Sequence, residues 1–339
     1  SKCTKYQVIS DMKRLSILFL LWSMVLGVNA QSVSFTFKDG ISNFSLRQTM
    51  ERSVSSLLSE VNRAANNKGS LNLSSINMTS NAKASLNNLW DNFHFKCDES
   101  SYSENCLTAV NGYEIRGISV TLKNMDATYK GEVNKELTIS TAKDGQITGV
   151  HMALANNVYN YVVNNGKDVT DTRRRLEILK FVEDFRSYYD EKDLEALRNV
   201  YSDDALIITG KVIMRKAMGN DQATLRPEIV YSRQNKEQYL TNLARTFRNN
   251  KYIKVKFDAI RVKRHPAKDG FYGVTLHQNW QSSNYSDDGY VFLLWQFRED
   301  ENGKELPPVI HVRTWQPDMV GNQQLSPSEV FTENDFFIP

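Results

Sequence analysis

Apolar residues spaced three and four apart mark two stretches in the first half of the chain. Between Phe44 and Ala65 they fall at positions 46, 50, 54, 57, 58, 61 and 65. This spacing places them on one side of an α-helix, and Ser42 or Asn43 is suited to cap its first turn. A second helical stretch runs from about Ser80 to Trp90. The pattern therefore predicts two helices before any strand.

Strand-like segments follow these helices. They are Tyr113–Leu122, Glu136–Thr141 and Gln146–Met152. Lys143-Asp144-Gly145 lies between the last two, and Asp-Gly is a hairpin turn signal because glycine readily adopts positive φ. The first half is thus predicted to run helices first and strands second.

The second half repeats this order. Thr172 precedes a long helix with a single apolar stripe, formed by Leu176, Ile178, Leu179, Phe181, Val182 and Phe185. The elements predicted next are a short helix at Leu194–Val200, a strand at Ala205–Thr209 and a helix at Lys236–Phe247. The periodicity of 3.6 separates these helices from the strands around them.

Four strands are predicted to end the chain. They are Tyr252–Arg264, Phe271–Gln281, Tyr290–Arg298 and Val309–Gln316. Asp269-Gly270, Asp288-Gly289 and Asn302-Gly303 separate them, and successive turn signals of this kind predict an antiparallel meander. Both faces of Tyr290–Arg298 are largely apolar, which is typical of a central strand buried on both sides. The fold class is therefore α+β.

The N-terminal residues have the pattern of a secretory leader. Met12-Lys13-Arg14 is basic, Leu15 to Val28 carries no charge, and Val28-Asn29-Ala30 puts small residues at −3 and −1 before Gln31. A membrane anchor is disfavoured because about 14 residues span only ~21 Å of a ~30 Å hydrocarbon core. We expect a signal peptide at 12–30, an upstream remnant at 1–11 and no membrane span after cleavage. The expected location is the periplasm or outer surface of a Gram-negative bacterium, not the cytoplasm.

The chain after the leader is long enough for two domains. The roughly 309 residues after Ala30 exceed one ordinary domain. Composition changes from Ser- and Asn-rich to Tyr-, Trp-, Arg- and Asp-rich across a polar segment. We therefore predict domains at 31–155 and 172–339, joined by a linker at 156–171.

The leader also accounts for the net charge of +3. Residues 1–30 carry Lys2, Lys5, Lys13 and Arg14 against Asp11, so the remainder is formally neutral. Nucleic-acid binding needs a net basic face, and we do not expect it here.

Cysteine and histidine usage bears on redox and metal chemistry. Cys97 and Cys106 remain after the leader, and in an oxidising compartment they are expected to form a disulfide. The alternative, a metal site, is disfavoured by the C-x8-C spacing. None of the five histidines falls in a metal-binding or catalytic motif, and no phosphate or dinucleotide fingerprint occurs. We therefore expect no metal and no cofactor.

The second half resembles the nuclear transport factor two-like superfamily, the cone-shaped fold shared with ketosteroid isomerase and scytalone dehydratase. The resemblance is carried by FVEDFRSYYDEKDLEALRNVYSDDALI, from Phe181 to Ile207, and extends over Thr172 to Trp315. It is also similar to exported bacterial proteins of unknown role. The resemblance implies a curled antiparallel sheet, with the first helix across its mouth and an apolar pocket inside. The similar order of elements leaves open whether the first domain is a divergent copy.

Strand alternation suggests which residues line such a pocket. His311, Arg313 and Trp315 alternate along one strand, and His277 lies opposite Trp280 on another. The candidate pocket residues are Tyr188, Tyr201, Asp204, His277, Trp280, Trp295, His311, Arg313 and Trp315. Arg313 suits a carboxylate or phosphate on a ligand. The alternative is that these rows face solvent or a dimer interface, with His311 and Arg313 paired to acids.

Three functional hypotheses follow. The first is an exported, non-enzymatic ligand-binding or protein-interaction module for a small hydrophobic or anionic ligand. The second is a small-molecule isomerase, dehydratase or hydrolase with Asp204 or His277 as base, although capping at the strand start is the favoured role of Asp203 and Asp204. The third is a structural envelope-assembly component, and a homodimer through the sheet is a further expectation. Fold alone does not choose between them.

Overall fold

The computed structural model describes residues 31–109, 111–155, 158–161, 172–217 and 224–337. The predicted leader and upstream remnant, and most of the predicted linker, lie outside these ranges. Within them, no helix combines the length and the apolar character needed to cross a membrane.

The first region packs two helices on an antiparallel sheet. Its elements are β1 (Ser34–Phe37), α1 (Phe44–Asn67), α2 (Ser80–Asn92), β2 (His94–Cys97), β3 (Ser101–Glu104), β4 (Leu107–Ala109), β5 (Gly112–Lys123), β6 (Asn134–Ala142) and β7 (Ile147–Met152). The side chain of Asn43 caps α1 by accepting from the Leu46 N–H. The apolar stripe of α1 is buried, with Val54 and Leu57 completely covered. Both predicted helices and all three predicted strands are confirmed.

The sheet of this region has β5 at its centre. β5 pairs with β2 and β4 on one side and with β6 on the other, and β6 pairs with β7. The predicted hairpin joins β6 to β7, and Gly145 adopts φ +87° in its turn. Glycine is needed there because other residues rarely adopt this backbone conformation.

The second region contains the predicted helices and meander. Its elements are α3 (Thr172–Asp190), α4 (Leu194–Val200), β8 (Tyr201–Lys216), β9 (Leu225–Asn235), α5 (Lys236–Asn249), β10 (Ile253–Arg264), β11 (Phe271–Ser282), β12 (Ser286–Glu299), β13 (Glu305–Pro317), β14 (Met319–Val320) and β15 (Gln323–Gln324). Strands β10 to β13 form the predicted antiparallel meander. Asp288-Gly289, predicted as a turn, lies instead inside β12, and the connection from β11 is at residues 283–285. Strand β8 is longer than predicted and β9 was not predicted.

The main sheet is mixed rather than antiparallel throughout, which corrects the prediction. Its order is β10-β11-β12-β13-β8-β9, and β13 runs parallel to β8. That pairing joins segments about a hundred residues apart, as in Arg313 opposite Ile207. No turn signal in the sequence specifies a contact of this range, so only local pairings could be predicted.

The curved sheet forms a cone with its apolar core against α3. Val182 and Phe185 of α3 face Trp295 and Leu293 of β12, and all four are nearly inaccessible to water. Burying a side chain of this size stabilises the fold by about 1.5–3 kcal/mol. The other face of β12 is also buried, because Phe336 of the C-terminal segment stacks on Phe292 with ring centroids 5.5 Å apart. The expectation that β12 is buried on both faces is confirmed.

Helix α3 is buried on two sides. The side away from the cone meets the sheet of the first region through charged residues. Arg116 pairs with Glu183, and Glu191, just past the end of α3, accepts from Ser85 and contacts His151. The two regions are therefore joined by buried polar contacts, and also by Tyr252, which packs in the apolar core of the first region against Phe93 and Tyr129.

The predicted disulfide is not formed. Cys97 and Cys106 are both free and buried. Cys97 lies in β2, where its Sγ contacts the Leu58 carbonyl oxygen of α1 at 3.9 Å. Cys106 is held elsewhere, because its backbone N–H donates to the Asp39 carbonyl oxygen. The thiols therefore serve as small core side chains.

Candidate functional site

A cavity of about 710 Å³ lies between α5 and the concave face of the sheet. Helix α5 contributes Tyr239 and Leu243 to its wall. The side chains lining it from β11, β12 and β13 include Gln278, Trp280, Asp287, Arg313 and Trp315. Both sides thus supply aromatic surface, and the sheet supplies the charged groups.

Alternation along the strands explains this lining. Gln278 and Trp280 of β11 lie two residues apart and so share the concave face. Asp287 of β12 pairs directly with Trp280, and Arg313 and Trp315 alternate in the same way along β13. The ring of Trp280 lies 5.9 Å from that of Tyr189 in the core, which shows that this face is the inner one.

Gly289 makes room for the indole of Trp315. A Cβ atom at position 289 would lie 2.7 Å from Trp315 Cε2 and 2.4 Å from the Gln316 carbonyl oxygen. Neither distance is tolerated, and the second contact is to backbone. A glycine at this point of β12 is therefore required for Trp315 to lie across the sheet.

Tyr239, which lines the cavity, belongs to a hydrogen-bonded cluster of three tyrosines. The hydroxyl of Tyr189 hydrogen bonds to those of Tyr201 (3.0 Å) and Tyr239 (2.8 Å). Burial raises the pKa values of Tyr189 and Tyr201 well above their usual range. Both phenols are therefore neutral at physiological pH and supply hydrogen bonds without charge.

Arg313 is a buried cation beside this tyrosine cluster. Only 6% of the residue is exposed, and its guanidinium lies 5.3 Å from the centre of the Tyr239 ring. Its Nε atom has no hydrogen-bond partner among the described residues. Within the same ranges, no carboxylate lies within ion-pair distance of Arg313; the guanidinium hydrogen bonds to Tyr189, whose neutral hydroxyl brings no negative charge to balance it.

Asp287 lines the same cavity, and the charge of Arg313 affects its ionisation. Burial raises the pKa of Asp287, while a hydrogen bond from Tyr285 and the charge of Arg313 act in the opposite direction. Its Oδ1 atom has no partner in the described part of the chain. The cavity therefore holds a permanent cation beside a carboxyl group whose ionisation is disfavoured.

Three of the predicted pocket residues meet in this cavity: Trp280, Arg313 and Trp315. Tyr201 does not line the cavity but hydrogen bonds to Tyr189 in the core, and the ring of the buried Trp295 lies 6.1 Å from that of Phe185. The prediction missed Tyr239, Gln278 and Asp287. Gln278 shares the parity of Trp280, so strand alternation could have identified it.

His277 lies on the other face of the sheet from Trp280. It sits between Asp258 (Nδ1–Oδ1, 3.3 Å) and Asp318 (Nε2–Oδ2, 3.1 Å). The alternation predicted for β11 is correct, but the histidine row faces outward. His277 is therefore not part of the cone cavity.

His311 does not share a face with Arg313, contrary to the prediction. Leu294 pairs with Val312 but the next residue of β12, Trp295, pairs with Ile310, so His311 is the extra residue of a β-bulge. A bulge shifts the alternation by one position. The imidazole consequently lies outside, with its ring centroid 5.5 Å from that of Phe271.

Asp204 accompanies His311 on the outside. Its Oδ1 lies 3.4 Å from His311 Nδ1, beside a separate cavity of about 430 Å³. Its side chain is 80% exposed, and it also accepts from Ser202. The adjacent Asp203 pairs with Lys236. Neither carboxylate reaches the cone cavity, so neither can act as a base there.

Tyr188 lies on the side of α3 that faces the first region. Its ring is 6.4 Å from that of His151. It therefore belongs to the contact between the two regions, not to the cavity wall. Within the described ranges, no three His, Cys, Asp or Glu side chains are placed to hold a metal ion.

Comparison with known proteins found no matching family model and no matching curated protein. Among solved structures, Bd1075 from Bdellovibrio bacteriovorus is similar at 14% identity, covering 62% of this chain and 78% of that chain with a TM-score of 0.31. Naphthalene 1,2-dioxygenase with indole bound in its active site is similar at 10% identity, covering 51% and 93% with a TM-score of 0.33.

A nuclear transport factor two-like protein of unknown function from Shewanella oneidensis MR-1 is similar at 13% identity. It covers 42% of this chain and 98% of that chain with a TM-score of 0.28. Nuclear transport factor two-like proteins are thus among the structural neighbours of this chain, at low identity.

Proposed function

We propose that the chain is a binding module whose cone takes a small ligand with an apolar, aromatic-sized body and one anionic group. The observation that carries this proposal is Arg313, a buried guanidinium that lines the cavity without an ion-pair partner in the described ranges. Burying an uncompensated charge costs several kcal/mol, so the free protein is less stable for having it.

A ligand anion would relieve that cost. A carboxylate can accept two parallel hydrogen bonds from a guanidinium, and such charge-assisted pairs are strong where water is excluded. Asp287 does not fill this role because its carboxyl group lies beyond ion-pair distance and burial opposes its ionisation. The cation is therefore available to a ligand.

The aromatic lining supports the apolar part of the proposed ligand. Trp280 and Trp315 come from the sheet and Tyr239 from α5, so a flat ring between them contacts both walls. Aromatic pairs add about 0.5–1.5 kcal/mol beyond the area that they bury. Gln278 offers an uncharged polar contact in the same cavity.

Cinnamate and cinnamide form a matched test, because they differ in charge but hardly in size. Quenching of tryptophan fluorescence reports binding beside Trp280 and Trp315. We expect cinnamate to bind at least about tenfold more tightly than cinnamide, a difference of about 1.4 kcal/mol. Arg313→Gln is expected to remove the preference, whereas Arg233→Gln on the exposed edge strand retains it. Equal binding of the two compounds, or an unchanged preference in Arg313→Gln, would refute the proposal.

An enzymatic role is the second candidate, and Asp287 is the observation that favours it. Burial raises the pKa of this carboxyl group, and a raised pKa is common among groups that transfer protons. Isomerase, dehydratase or hydrolase chemistry would then use Asp287 in place of Asp204 or His277. This alternative would be established if a bound compound were turned over and Asp287→Asn abolished the turnover but retained cinnamate binding. Binding without turnover of any bound compound supports the binding module.

We also propose export, on the basis of the leader-like residues before Gln31. Expression of the whole chain in a Gram-negative host, followed by periplasmic extraction and N-terminal sequencing, tests it. The expected mature N-terminus is Gln31. An uncleaved chain retained in the cytoplasm would contradict it.

A further inference from the structure

A second cleft lies between the two regions, away from the cone cavity. It consists of two adjoining cavities of about 290 and 520 Å³. They share Glu132, Lys135, Lys254 and Lys256 in their walls. Strand β6 lines one side, and β10 together with Arg186 of α3 lines the other.

The inner end of this cleft contains three cations and one carboxylate. Asp190 is completely buried, and both of its carboxylate oxygens accept hydrogen bonds. Oδ2 accepts from Arg186 Nη1 and from Lys254 Nζ, both at 2.8 Å, and Oδ1 accepts from the Val255 N–H at 2.7 Å. One carboxylate thus serves two buried cations, and a third cation remains.

The third cation is Lys135 of β6. Its ammonium lies 3.9 Å from Glu132, whose side chain is 81% exposed, while the Lys135 side chain itself is only 19% exposed. A solvated carboxylate at this distance compensates a buried ammonium weakly. Arg186 is 97% buried, and within the described residues its Nε atom has no hydrogen-bond partner.

The crowding of positive charge affects the ionisation of Lys135. Burial, and then the charges of Lys254 and Arg186, lower the pKa of Lys135 to about 8, although Glu132 and Asp190 act in the opposite direction. Asp98, Glu136 and Lys256 are the other charged residues lining the smaller cavity, and the larger one adds Lys130, Asp258, His277 and Asp288. An anion at the inner end would raise this pKa, because it favours the charged ammonium.

We propose that the inner end of this cleft binds the anionic group, a phosphate or carboxylate, of a small ligand, with Lys135, Lys254 and Arg186 as its cationic contacts. Lys135 lies on the first region and the other two on the second, so the ligand bridges the two regions. The rest of the lining has more acidic than basic residues, namely Asp98, Glu132, Glu136, Asp258 and Asp288 against Lys130 and Lys256. The rest of the ligand is therefore uncharged or cationic, and an extended polyanion is disfavoured.

Calorimetric titration of the full chain with inorganic phosphate and, separately, acetate tests this proposal, with chloride keeping the ionic strength constant. We expect saturable binding of at least one of the two anions. Binding at pH 8, near the pKa of Lys135, should take up protons, which the dependence of the measured heat on buffer ionisation detects. Preference for phosphate or for acetate identifies the anionic group.

Lys135→Gln is the diagnostic variant, and Lys143→Gln in the exposed β6–β7 turn is its matched control. We expect the first to weaken binding about tenfold and to reduce proton uptake, which Lys254 can also contribute because burial lowers its pKa. We expect the second to change neither and Lys135→Arg to restore affinity. Absence of saturable binding of both anions, or equal effects of Lys135→Gln and Lys143→Gln, would overturn the proposal. Arg313→Gln should leave anion binding here unchanged, which separates this cleft from the cone cavity.

Discussion

Arg116 and Glu183 form a two-point ion pair across the boundary between the two regions. Nη1 donates to Oε1 at 2.9 Å and Nη2 to Oε2 at 2.7 Å. Glu183 also accepts from the Leu154 N–H, and its side chain is only 2% exposed. Helix α3 therefore belongs to both regions, because its apolar side packs in the cone and its charged side contacts the first region.

We predict that Glu183→Leu is strongly destabilising. The change leaves the guanidinium of Arg116 buried beside Glu114 alone, and breaking a buried pair typically costs about 3–5 kcal/mol. The triple variant Glu114→Gln, Arg116→Met and Glu183→Leu should cost less than Glu183→Leu alone, because it removes all three charges of this buried cluster together. Urea unfolding measures both free energies.

The exposed pair between Arg215 and Glu228 provides the control. Its side chains are 61% and 49% exposed, so Glu228→Leu should cost less than about 1 kcal/mol. If Glu183→Leu were as mild as Glu228→Leu, the two regions would not depend on this contact.

A pH dependence follows from the pair between His151 Nδ1 and Glu191 Oε1, 2.7 Å apart. Burial alone lowers the pKa of His151, but the Glu191 carboxylate outweighs it and the pKa is raised above the usual value of 6.5. A group whose pKa is raised in the folded state stabilises the fold when it is protonated. This stabilisation is fully present below the pKa of the group in the unfolded state and is lost as pH rises through its pKa in the folded state. His151→Gln should therefore destabilise the chain more at pH 6 than at pH 9. An equal loss at both values, measured by urea unfolding, would contradict this pairing.

Gly289→Ala should disturb the cone cavity without unfolding the protein. The added methyl group would meet Trp315 and the backbone of Gln316, and overpacking of this kind costs about 1–3 kcal/mol. We also expect a shift in tryptophan fluorescence as the indole moves. Gly69→Ala is the control, since nothing lies within 4 Å of a Cβ atom there. Identical behaviour of the two variants would show that Trp315 does not depend on Gly289.

The cysteines are expected to be free and unreactive in the folded protein. Burial raises the pKa of Cys97 to about 12 and that of Cys106 to about 11, so thiolate is scarce at pH 8. In a Cys3→Ser variant without reductant, a thiol reagent should label neither residue until denaturant is added, and then both. Absence of labelling in denaturant would contradict this prediction and would show that Cys97 and Cys106 form the disulfide expected from the sequence.

Much of the local structure could be predicted because it depends on short-range patterns. The apolar stripe of α3 and the turns around Gly270 and Gly303 are each determined by residues that are close together in the sequence. Strand β9 escaped prediction because it is an edge strand with most of its side chains exposed, so it has no apolar alternation. The parallel pairing of β13 with β8 has no local signal at all.

The site was predicted in part for the same reason. Alternation placed Arg313 and Trp315 on one face, as the structure does. It failed at His311 because one extra residue in β13 shifts the alternation, and no residue type there marks a bulge. Asp287 was missed because β12 begins earlier than its apolar run, at Ser286.

The role proposed for Arg313 is tested most directly by the stability of the ligand-free protein with and without the charge at position 313. If Arg313 is held for a ligand, Arg313→Met removes an uncompensated buried charge, and we predict that it raises the free energy of unfolding, by on the order of 1 kcal/mol or more, while it abolishes the preference for cinnamate. Urea unfolding of both proteins without ligand measures this. A loss of stability of about 3 kcal/mol or more would show that Arg313 serves the fold, and would contradict its assignment to a ligand.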